Sequence, residues 1–66
     1  PSAADAYELA LRDVKTLVLK LRAQIDEHDA DLRAQLAETG REIHWAHVGD
    51  LTHLREGLTE LLSFWG

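Results

Sequence analysis

No cysteine occurs in the 66 residues, which removes disulfides as a support for a chain whose core, at this length, is marginal. A structural metal or self-association is then the usual remaining support. Nor is there a run of about 18 apolar residues, so no segment is expected to span a membrane, and the start lacks the basic-then-apolar order of a secretory signal. Basic residues are outnumbered, 7 Lys and Arg against 12 Asp and Glu for a formal charge of −5, which argues against a surface dominated by phosphate contacts. One proline and four glycines are too few for the turns of a small β-barrel, and 45% apolar content is too high for disorder. A cytoplasmic, all-α chain is the expectation, the lack of cysteine suiting a reducing compartment.

What the sequence does contain is a heptad seam. Tyr7, Leu11, Val14, Val18, Leu21, Ile25, His28 and Leu32 follow one another at alternating steps of four and three, the spacing of one helix face. Leu11, Val18, Ile25 and Leu32 take position a, with Tyr7, Val14, Leu21 and His28 at d. Ala10 and Leu17 at g widen the face toward what a bundle needs, whereas Leu9 and Leu19 fall outside it and read as ordinary exposed residues. Such a stripe adds little stability in water until it packs on something else.

Taken in order, Ser2-Ala3-Ala4-Asp5 matches a capping box and opens the first helix. Arg12, Lys15, Lys20 and Arg22 are followed by an acidic block of Asp26, Glu27, Asp29 and Asp31. Glu8 to Arg12 and Asp29 to Arg33 are spaced for favourable i,i+4 pairs. The seam stops after Leu32, and Thr39-Gly40-Arg41-Glu42 reads as a second capping box. Helices over about 3–38 and 41–65 are therefore expected, with Gly49-Asp50 as the competing break. Against that break, His44, His47, Leu51, Leu54, Leu58, Leu61 and Trp65 keep the rhythm straight through Gly49.

Folded about the Thr39 turn as an antiparallel hairpin, the two stripes match: Leu51 falls near His28, Leu58 near Leu21 and Trp65 near Val14. The first helix overhangs the second, leaving Tyr7 and Leu11 without an internal partner. Residues 1–66 are thus expected to form one helical-hairpin domain that dimerises head to tail into a four-helix bundle. Its core seam would be Tyr7, Leu11, Val14, Val18, Leu21, Ile25, Leu32, Leu51, Leu54, Leu58, Leu61 and Trp65. A parallel coiled-coil pairing of the first helix stays open, because Val18 and Ile25 at a with Leu21 at d suit it.

Chemistry has few footholds. No nucleophile turn, phosphate-cradling glycine loop or intrinsic pocket is visible, so no enzyme activity and no cofactor are expected. His28, His44 and His47 lie on the seam and are metal-ligand candidates, with Glu27, Asp31 or Asp50 completing a shell. The same histidines also suit hydrogen-bonded polar layers that fix register, or a pH-sensitive core. Trp45, at b beside Val48, is either edge packing or an anchor for another protein.

The function expected is a non-enzymatic, self-associating interaction or assembly module, a homodimer with another protein as a second candidate partner. A dimer of helical hairpins is similar in overall architecture to the Rop family of plasmid RNA regulators, which bind paired RNA loops on the bundle face. That resemblance implies an RNA-regulatory alternative, with Arg12, Lys15 and Arg22 as the candidate strip. No motif of that family carries over, and the negative charge disfavours nucleic acid. A divalent-metal or pH-sensing bundle is the third possibility.

Overall fold

A computed structural model of the chain describes residues 2–66. They contain two α-helices, α1 (Ala3–Thr39) and α2 (Trp45–Trp65), and no strand. The chain divides into two units, Pro1–Gln35 and Leu36–Gly66.

The first unit begins where its local chemistry says it should. Asp5 donates its backbone N–H to Ser2 Oγ at 3.2 Å, and Ser2 donates its own to Asp5 Oδ2 at 3.4 Å. This reciprocal pair satisfies two amides that a helix start leaves without intrahelical partners, and it puts the Asp5 charge at the positive end of the helix dipole. Farther along, Arg33 Nε donates to Asp29 Oδ1 at 2.9 Å, the expected i,i+4 pair. The other expected pair differs: the Arg12 guanidinium lies 3.6 Å from Asp13 rather than against Glu8. Both groups of that contact are mostly exposed, so neither arrangement adds much stability.

The second unit corrects the boundary of α2. A start near Arg41 requires Thr39 to cap α2, with Gly40 and Arg41 in right-handed helical conformation. Instead Gly40 takes φ 68°, in the left-handed region, and Arg41 donates its backbone N–H back to the Leu36 carbonyl at 3.0 Å. That six-to-one bond after a left-handed glycine is a Schellman closure, so Gly40 ends α1 and cannot open the next helix. Residues 40–44 form the connection, and α2 begins at Trp45 with His44 as its extended N-cap, φ −128° and ψ 179°. The helix then runs through Gly49 and Asp50 without interruption, as the seam rhythm requires, so the alternative break there does not occur. Gly66 closes α2 through its N–H to the Leu62 carbonyl at 2.9 Å.

Candidate functional site

Two features stand out: an apolar stripe on each helix and a histidine pair at the head of α2. On α1 the seam positions Tyr7, Leu11, Val14, Val18, Leu21, Ile25 and Leu32 fall within a stripe about 80° wide at 3.6 residues per turn. Leu11, Leu21, Ile25 and Leu32 are half-buried; Tyr7, Val14 and Val18 are exposed, at 65%, 57% and 60%. The stripe does not stop at Leu32. Leu36, one turn further, is also half-buried and lies on the same face, because a 3.6-residue period drifts relative to strict heptads. Strict heptads place it at e, which is why sequence spacing alone passes over it.

On α2, Leu51, Leu54, Leu58, Leu61 and Trp65 share one face, an arc of about 80° at 3.6 residues per turn. Leu54 and Leu58 are half-buried, whereas Leu51, Leu61 and Trp65 are exposed. Leu62 widens this face and is 70% exposed. Trp45, the first residue of α2, lies on the opposite side and is 85% exposed. Among the described residues no side chain is buried. The residues of both stripes are thus half-buried or exposed.

The histidines divide. His28 is an exposed residue of α1, and His53 an exposed residue of α2. His44 does not stand on the α2 seam, because it precedes the helix as its N-cap. Its Nδ1 accepts the Ala46 N–H at 3.2 Å, and His47 Nδ1 accepts the His44 N–H at 3.2 Å. Together they make a capping box out of two imidazoles, in which ring nitrogens do the work usually given to a serine hydroxyl and a glutamate carboxylate. The ring centroids are 4.1 Å apart and the planes tilted by 40°. Nothing in residue spacing alone signals this, since histidine is not among the residues favoured at an N-cap.

Both Nδ1 atoms are committed to backbone amides, which leaves Nε2 on each ring for other chemistry. No group of three or more histidine or acidic side chains is placed to share a metal ion among the described residues. The hollows on α2, one lined by Arg55, Glu56, Thr59, Glu60 and Ser63 and another by Gly57, Glu60, Leu61 and Phe64, are open grooves on a single helix surface. No described helix is long and apolar enough to cross a membrane. Comparison with protein-family models, with curated proteins and with solved structures finds no match for this chain.

Proposed function

We propose that this chain is a non-enzymatic assembly module: α1 and α2 reverse at residues 40–44 into an antiparallel hairpin, and two hairpins associate as a four-helix bundle. The observation that supports it most is the open apolar stripe on each helix, with no buried side chain among the described residues. Exposed stripes of this continuity are interaction surfaces, since isolated apolar residues on a soluble surface do not line up over many turns. The five-residue connection lies at the upper end of the lengths that join antiparallel helices.

Helix lengths supply the reason for a second copy. α1 has 37 residues and α2 has 21, so antiparallel pairing leaves at least 16 residues of α1 uncovered, about 24 Å at 1.5 Å per residue. Head-to-tail association of two hairpins covers that remainder with the same apolar chemistry. Starting α2 at Trp45 also favours a register one heptad from the one centred on Thr39, bringing Leu54 to Leu32, Leu61 to Ile25 and Trp65 to Leu21.

Sedimentation equilibrium at micromolar concentration tests the proposal, with a mass twice that of the chain as the expected result. Leu21→Asp and Leu58→Asp should each weaken association by roughly a hundredfold or more, because each replaces a leucine that the bundle would bury with an unpaired charge. A folded, helical monomer at that concentration rejects it.

A further inference from the structure

We propose that the two-histidine cap is a pH-operated catch on α2, holding its first turn when both rings are neutral and releasing it when either is protonated. The geometry is specific: each Nδ1 is a hydrogen-bond acceptor from a backbone amide, at 3.2 Å in both cases. A protonated imidazole has no acceptor, since both ring nitrogens then carry hydrogen. One proton on His44 frees the Ala46 amide, and one on His47 frees the His44 amide. Serine, aspartate and glutamate caps do not lose their acceptors between pH 5 and 8, whereas histidine is the side chain that changes charge there.

Two further effects act in the same direction. A positive ring at a helix N-terminus opposes the dipole, where a carboxylate would reinforce it. Two positive rings with centroids 4.1 Å apart also repel each other. Loss of the two acceptors, opposition to the dipole and repulsion between the rings all work against the same first turn. Both rings are reachable, His44 being exposed and His47 half-buried. The described ion pairs, Arg12 with Asp13 and Arg33 with Asp29, involve neither ring. The nearest charged groups along the chain are Arg41 and Glu42 before the cap and Asp50 after it. The device is independent of self-association, because the apolar face of α2 begins at Leu51, after its first turn.

The test is an NMR titration of the full chain from pH 8 to pH 5, following the Cα shifts of Trp45–Val48 and the ring protons of all four histidines. The helical Cα shifts of that turn should fall by at least half, with a midpoint matching His44 or His47, while Arg55–Leu61 change far less. His44→Ser with His47→Glu installs a serine and glutamate box that keeps its acceptors over this range and leaves His28, His53, Arg41, Glu42 and Asp50 in place, so its first turn should hold to pH 5. Should that variant fold poorly, His44→Asn with His47→Gln serves the same purpose. An unchanged first turn in the wild-type chain overturns the proposal. So does a midpoint that follows His28, His53 or the carboxylates, or a response that persists in the variants.

Discussion

Gly40 carries the sharpest conformational demand in the chain. At φ 68° a side chain costs about 1–2 kcal/mol, because Cβ approaches the following carbonyl oxygen. Gly40→Ala should destabilise the end of α1 by that amount, seen as earlier loss of the helical circular-dichroism signal on heating, even though a methyl there would meet no atom within 4 Å. At the other end of α1, Ser2→Ala removes the acceptor of the Asp5 amide and should cost about 1 kcal/mol by the same measurement. The first cap was legible in the sequence because serine and aspartate three residues apart have one obvious use. The second was not. Thr39-Gly40-Arg41-Glu42 fits an opening box, yet the same glycine serves better as a left-handed terminator, and the bond from Arg41 to the Leu36 carbonyl uses the backbone in that way. A residue cannot close one helix and enter the next with the same φ.

Among elements, α2 is the weaker helix former. It carries Gly49 and Gly57 in its interior, each costing about 1 kcal/mol relative to alanine, whereas α1 has no glycine between Ala3 and Thr39. A Cβ built on Gly49 meets nothing within 4 Å, and the position lies away from the leucine face. Gly49→Ala should therefore stabilise α2 by about 0.5–1 kcal/mol, raising its helical content. A fall in helicity would show that the glycine is needed for a close approach. The continuity of α2 through Gly49 followed from the three-and-four rhythm alone. Its first turn did not, because counting His44 as a seam residue presumed a helix that had not yet begun.

At the scale of the whole molecule, the proposed association is what would cover the apolar stripes. Of the large apolar groups, Phe64 and Trp65 are 86% and 85% exposed, and leaving them so forgoes on the order of 2 kcal/mol each of burial. If the proposed bundle forms, Trp65→Ala should therefore weaken it measurably in the ultracentrifuge. Trp45→Ala, on the opposite side of α2, should leave both helicity and self-association unchanged while abolishing capture of any protein that uses that tryptophan as an anchor. From sequence alone came the two helices, the serine cap and the apolar faces, since periodicity and capping act within a few residues and are written where they operate. What the folded chain decided was the closure of α1 at Gly40 and the appointment of two histidines to cap α2. Several cap patterns overlap between Thr39 and His47, and only backbone angles and hydrogen bonds, once formed together, choose among them.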